Sequence, residues 1–306
     1  MKDAHTMNIL IQHILNNNQR NSMILKKADQ YLIPKSSSRL RLNDPKKTFD
    51  KIFKKVFVVN GVSFSMMYCP LGLVNIVSDK EHESKRTVTS VSSFLLGETK
   101  VTQDLYQAVM GDNPSEFKSD DKQTIGKRPL ENALLKDMFS FCNKLSVLFG
   151  LKPKYNLTTN QTISSVNPLK KVERVVLTFN QNANGFRLPI EYEWQFAAMA
   201  GTNNMYAGCS DDSKVQDVAW FSLNSKGTTH QVKGKLPNEW GFYDMIGNVR
   251  EVCEDEYKIR SHTRKVKGAS WRTQDIKELT INTLSFEFMT QHDSTIGFRI
   301  LLPTFK

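Results

Sequence analysis

No stretch of this 306-residue chain strings together the roughly 18 apolar residues that a membrane-crossing helix needs. Met1 to Asn21 holds only short apolar clusters such as Ile9-Leu10-Ile11, broken by Gln12, His13 and Asn16 to Asn18, and does not read as an export signal. A cytoplasmic location is therefore expected, with export by a route that uses no cleaved signal left open. Cysteine is scarce. Cys69, Cys142, Cys209 and Cys253 lie far apart, form no CxxC pair, and are followed by no further cysteine. That spacing excludes a zinc signature and a dense disulfide framework, and leaves four reduced, mostly buried thiols as the expectation. The six histidines are equally scattered and contain no HExxH, so a histidine metal site would have to be assembled by the fold. Acid is missing from the start of the chain. Residues 1–55 carry 12 Lys/Arg against 4 Asp and supply most of the net charge of +11. Such an arm suits nucleic acid, anionic lipid or an acidic partner, but no aromatic interleaving for base stacking accompanies it. A solvated tail is the plainer reading.

What is present belongs to a globular protein, with 39% hydrophobic and 24% charged residues. Ile9, Ile11, Ile14 and Leu15, then Ile24, Ala28 and Tyr31, recur at near-helical spacing, and Pro34 with Ser36 to Ser38 reads as a linker. The division expected is a basic, helical or flexible extension over 1–50 and one domain over 51–306. Val56 to Val59, Asn60-Gly61, and Val62 to Met66 spell a hairpin, because Asn-Gly tolerates the positive φ angles of a type I′ turn. Residues 87–96 predict a strand. Leu105, Val109 and Met110 predict a helix with Thr102 as N-cap, and Leu134, Met138, Phe141, Cys142 and Leu145 a second one ended by Gly150. Residues 151–184 read as a strand pair or an insertion, and Trp194, Ala197 and Ala198 mark a third short helix. Past Gly201 turns and short strands prevail. The pattern is α+β and rich in loops.

Several stretches, in order, carry more than periodicity. Gly97-Glu98-Thr99-Lys100-Val101-Thr102-Gln103 leads into Val109-Met110-Gly111-Asp112-Asn113-Pro114. Later come Asn184-Gly185-Phe186-Arg187-Leu188-Pro189, Pro237-Asn238-Glu239-Trp240-Gly241-Phe242-Tyr243-Asp244-Met245-Ile246-Gly247-Asn248-Val249-Arg250-Glu251, Lys267-Gly268-Ala269-Ser270-Trp271 and Gly297-Phe298-Arg299. Together, over about residues 57–302, they resemble the formylglycine-generating-enzyme (sulfatase-modifying-factor) superfamily. The resemblance implies that family's variant of the C-type lectin fold.

It also implies sites. In the resembling enzymes the turn matching Asp244, Gly247, Val249 and Glu251 binds calcium, the middle two through carbonyls, and oxygen donors of this kind suit Ca²⁺. A carboxylate–arginine cluster without metal is the competing reading. The family's second calcium site falls on Ala219 to Lys233, which keeps no convincing acidic set and is expected to be missing. Arg187 and Arg299, planar forks suited to buried carboxylates such as Glu191, Glu251 or Asp244, are expected to be structural, as are Trp194 and Asn248, with ligand contact as the alternative for the arginines. The family's oxidase chemistry uses two cysteines after the Gly-Gly-Ser-aromatic element, holding copper. Those positions fall here at about Thr273 and Glu278, so no copper site is evident. Arg250 and Val252 stand where two tryptophans are usual. Trp271, Arg272, Phe286, Phe288, Gln291 and His292 fall on the face that binds ligands in lectin-like relatives, with strand packing as the plainer alternative. These readings imply a non-catalytic binding or scaffold protein recognising a macromolecule, most simply a protein. The alternative is a metal-dependent oxidoreductase of the same superfamily acting on a cysteine or thiol.

Overall fold

The computed structural model describes residues 53–80, 83–119, 121, 124–163, 171–256, 263–288 and 291–304. The expected N-terminal helices, the Pro34 linker and the basic arm, with its proposed nucleic-acid contact, lie outside them. In chain order the strands are β1 (Lys54–Val59), β2 (Val62–Cys69), β3 (Gly72–Lys80), β4 (Glu83–Val91), β5 (Phe94–Gly97), β6 (Tyr155–Ile163), β7 (Lys171–Phe179), β8 (Arg250–Glu256), β9 (Thr263–Lys267), β10 (Leu284–Phe288), β11 (Ile296–Gly297) and β12 (Leu301–Pro303). The α-helices are α1 (Gln103–Met110), α2 (Leu135–Leu148), α3 (Glu191–Met199) and the single turn α4 (Val215–Val218).

The Asn60-Gly61 hairpin forms as the residues dictate. Asn60 and Gly61 have φ of 46° and 82°, and Val59 pairs with Val62 across the turn. The single strand expected over 87–96 is two, because Ser92-Ser93 separates β4 from β5 and the two strands join different sheets. The polar stretch 151–184 contains an antiparallel ribbon, β6 with β7. Thr102 does sit before α1, but its hydroxyl bonds the Asp104 side chain, and the first helix N–H groups donate instead to Arg128 O, Gly126 O and Asp104 Oδ1.

Strands β1, β2, β5 and β12 form one sheet in the order β1-β2-β5-β12, and it carries a core on each face. Phe57, Met66, Leu95 and Leu302 join the cluster built on α1 and α2, whereas Met67, Cys69, Leu96 and Leu301 join the one built on α3 and the 206–246 loops. Neighbours in sequence part to opposite faces because side chains alternate along a strand. Stripe residues of α2 (Met138, Phe141, Cys142 and Leu145) all enter the first core, where Phe141 stacks on Tyr106 of α1 at 5.5 Å. The second sheet runs β10-β9-β8-β11, with β11 parallel to β8 and the other pairs antiparallel. It presents the segments that matter for function.

Candidate functional site

Strand β8 divides two sites by alternation. Arg250 lines an open cleft, and Glu251, the next residue, is fully buried on the other side.

Glu251 is the hub of an ion cluster. One carboxylate accepts from Arg299 Nε and Nη2 at 3.1 and 3.0 Å, from Trp194 Nε1 at 2.9 Å, and lies 3.0 Å from the Lys100 ammonium. The side chains of Lys100, Arg299 and Glu251 are all 0% exposed. Arg299 also donates to the carbonyls of Gly97 and Tyr243, and Lys100 donates to the Asp244 carbonyl. Burial alone would push the Glu251 carboxyl up, but the two cations outweigh it and hold it below the usual carboxylate value. For Lys100 burial wins and lowers the ammonium's pKa, with Glu251 opposing.

The turn feeding this cluster depends on unusual backbone. Asp244, Gly247 and Asn248 all have positive φ, at 53°, 76° and 64°. A Cβ on Gly247 would meet the Trp220 carbonyl oxygen at 2.4 Å, so only glycine fits. Asn248 fastens the turn to its surroundings. Its side-chain amide bridges the backbone of His230, its N–H donates to Trp220 O, and its carbonyl accepts from Trp271 N. In the upstream segment, where a further calcium site would fall, His230 stacks on Trp220 at 3.9 Å and Lys235 lies over the same indole.

The four sequence-derived calcium ligands are therefore neighbours in one turn, but the oxygens of its two acidic residues are engaged. Both Glu251 oxygens accept from cations and the Trp194 indole, Asp244 Oδ2 accepts from Lys233 N at 2.8 Å, and the Asp244 carbonyl faces Lys100. Calcium needs about six to eight free oxygen ligands. As it stands this donor set, with an ammonium against Glu251 and the Asp244 carbonyl, does not fit the ion. Among the described residues, no three His, Cys, Asp or Glu side chains converge on a metal-sized point.

Arg187 takes a partner other than the acids expected for it. It holds Glu193 in a two-pronged pair, 2.7 and 2.6 Å, while Glu193 Oε2 also accepts from Ile190 N at the start of α3. Glu191 instead pairs with Lys265. A carboxylate in the first turn of a helix can reach back to the preceding backbone, and position 193 has the right spacing.

The cleft on the other side encloses about 510 Å³. Its floor is Gly268-Ala269-Ser270, and its walls include Arg250, Arg272, Thr273, Glu278, Ser285 and Asp293. Arg250 is paired with Glu287 and Asp293 and donates to Thr295 Oγ1 at 2.8 Å. Thr273 Oγ1 accepts from Ser270 N at 3.0 Å. Thr273 and Glu278, the positions matched to the family's cysteines, thus share one cavity, which no spacing rule joins. None of the four thiols lines it. Cys69, Cys142 and Cys253 are buried and Cys209 is half-buried elsewhere, and burial pushes the thiol pKa of each upward.

Of the six face residues read from the sequence, only Arg272 lines the cleft. Trp271 stands edge-on to Phe117 at 5.2 Å and donates its indole N–H to Ser294 O. Phe286 is half-buried on β10. Gln291 and His292 are exposed, the latter bonding Asn132 O through Nδ1. The Phe288 side chain lies outside the described residues. Sequence reasoning missed Ser285, Asp293 and Thr295 as neighbours of Arg250. Arg250 was the available signal, since a guanidinium in place of an aromatic demands carboxylate partners.

Residues 46–303 match the family model described as the sulfatase-modifying factor enzyme 1-like domain. The chain is 31% identical over 245 residues to the chaperone protein LppX of Paenibacillus barcinonensis, covering 71% of this chain and 80% of that protein. It is 29% identical over 109 residues to the inactive C-alpha-formylglycine-generating enzyme 2 of Bos taurus, covering 28% and 33% respectively. Among solved structures, Treponema denticola variable protein 1 superposes with a TM-score of 0.69 at 29% identity, over 81% of this chain and 98% of that one.

Proposed function

We propose, from the premise that this chain belongs to the sulfatase-modifying factor enzyme 1-like family, that it is a non-catalytic member which binds a protein partner in the cleft beside Trp271. The observation that carries the reading is the cleft's chemistry. On the resemblance, the family's copper-binding cysteines fall at about Thr273 and Glu278, and the lining sets hydroxyls, two guanidinium groups and two carboxylates beside the apolar Val266, Ala269 and Leu284. Soft thiolates hold Cu(I), whereas a hydroxyl and a carboxylate do not. Hydroxyls, arginines and acids set on a rigid floor suit hydrogen bonding and ion pairing to a peptide or protein surface. The names of two relatives, a chaperone and an inactive enzyme, point the same way.

Two measurements test this. With copper and cysteine-containing peptides, the protein is expected to consume no oxygen above the buffer rate; sustained turnover overturns the proposal. Once a partner is isolated, Arg272→Ala and Glu278→Ala, both in the cleft lining, are expected to weaken its binding about 10-fold or more, the scale of a residue central to an interface. Unchanged affinity in both variants places the interface elsewhere.

A further inference from the structure

The Lys100 ammonium reaches into the turn from Asp244 to Glu251, the turn expected from the sequence to hold a metal ion. It lies 3.0 Å from Glu251 Oε1, donates to the Asp244 carbonyl, and is wholly shielded from solvent. An ammonium there repeats what a cation does, because it neutralises a buried carboxylate and draws a main-chain oxygen of the same turn toward one centre. The local charges already balance. Lys100 and Arg299 face Glu251 and the 2%-exposed Asp244. A divalent ion entering beside them would leave an uncompensated double charge in a place with no water to screen it. The ammonium is also fixed from its own side, since Lys100 lies three residues past the end of β5 and its neighbour Val101 is locked to both Phe298 and Leu130 by backbone hydrogen bonds.

We propose that Lys100 is a built-in cation: its ammonium replaces a divalent metal at the Asp244–Glu251 turn, so that this chain folds independently of calcium and withdrawing the ammonium uncovers a calcium-responsive site. A second cleft, of about 390 Å³, is lined by Thr99, Lys100, Lys127 and Lys233, and the Lys100 side chain itself stays closed off from it, at 0% exposure. The inference is independent of what the first cleft binds.

The test is thermal melting of the full chain, after chelation and with calcium chloride added. The wild type is expected to melt at the same temperature in chelator and in calcium. A calcium-induced rise overturns the proposal, since a ligand of the folded state must raise the melting temperature. Lys100→Ser is expected to melt several degrees lower than wild type in chelator and to regain much of the loss on adding calcium, and the double variant Lys100→Ser/Glu251→Gln is expected to show no such recovery. A folded Lys100→Ser protein that ignores calcium overturns the replacement. Should Lys100→Ser not fold in either condition, the wild-type comparison decides, with indifference to calcium supporting the proposal and a response sinking it.

Discussion

Glu131 is completely buried, and while its Oε1 accepts from Phe117 N at 2.9 Å, its Oε2 has no hydrogen-bond partner among the described residues. Burial pushes its carboxyl up from 4.5 to about 7, against the Phe117 and Glu116 backbone N–H groups. Between those two values the folded protein keeps a proton that the unfolded chain has released, so stability is expected to fall as pH rises from about 4.5 to 7 and then level off. Glu131→Gln should flatten that part of the profile and melt higher than wild type at pH 8, which melting curves at acid and mildly alkaline pH check directly. Lys267 presents the opposite sign. Its ammonium is almost fully buried without a hydrogen-bond partner among the described residues, 5.5 Å from the centre of the Trp194 ring, and burial lowers its pKa from 10.5 to about 8. The unfolded chain then binds the extra proton, so its contribution to stability rises with pH between 8 and 10.5. Below that window the native state carries the full cost of a buried charge. Lys267→Met is expected to stabilise the protein at pH 7 by roughly 1–3 kcal/mol, read as an increase in denaturation midpoint.

Among elements, the turn after Pro237 shows how one side chain can secure two others. Asn238 donates to the carbonyls of Ala197 and Ala198 at the end of α3, and its Oδ1 accepts from Trp240 N and Phe242 N. Those helix carbonyls have no partner within the helix, and Asn238 is only 5% exposed, so water does not replace it. Asn238→Ala is expected to cost about 2–4 kcal/mol, whereas Asn238→Asp, which keeps the acceptor and loses the donor, should also loosen α3. Urea titration followed by circular dichroism distinguishes these from an unperturbed helix. Hairpins and amphipathic helices were legible in the sequence because their causes are local. Asn-Gly sets the turn of β1–β2, and the stripe from Met138 to Leu145 sets α2. The break at Ser92-Ser93 was not legible, since β4 and β5 are assigned to different sheets by their partners, Gly72–Lys80 for one and Val62–Cys69 with Leu301–Pro303 for the other.

At the scale of the whole molecule, the Glu251 cluster joins parts remote in sequence. Gly97 ends β5 and Lys100 lies three residues beyond it, Trp194 lies on α3, Tyr243 and Asp244 on the turn before β8, and Arg299 precedes β12. Arg299→Met leaves a buried carboxylate with one cation instead of two and three carbonyl or carboxylate groups short of donors. It is expected to cost about 3–5 kcal/mol, with tryptophan fluorescence and far-ultraviolet circular dichroism shifting together if the two cores unfold as one unit. Separate transitions would show that the sheet between the cores does not couple them.

The sequence by itself determined the family, through ordered motifs whose glycines, prolines and arginines each answer a local demand of backbone or charge. Gly247 is the clearest case, since no other residue fits against Trp220. The same letters also placed Asp244, Gly247, Val249 and Glu251 in one turn. What they could not show is that Lys100, more than a hundred residues upstream, delivers its ammonium to that turn. Nor could they show that Thr273 and Glu278 share a cleft with Arg250 and Asp293. A buried charge is set by every group within a few ångströms of it, and those distances exist only once the chain has closed on itself.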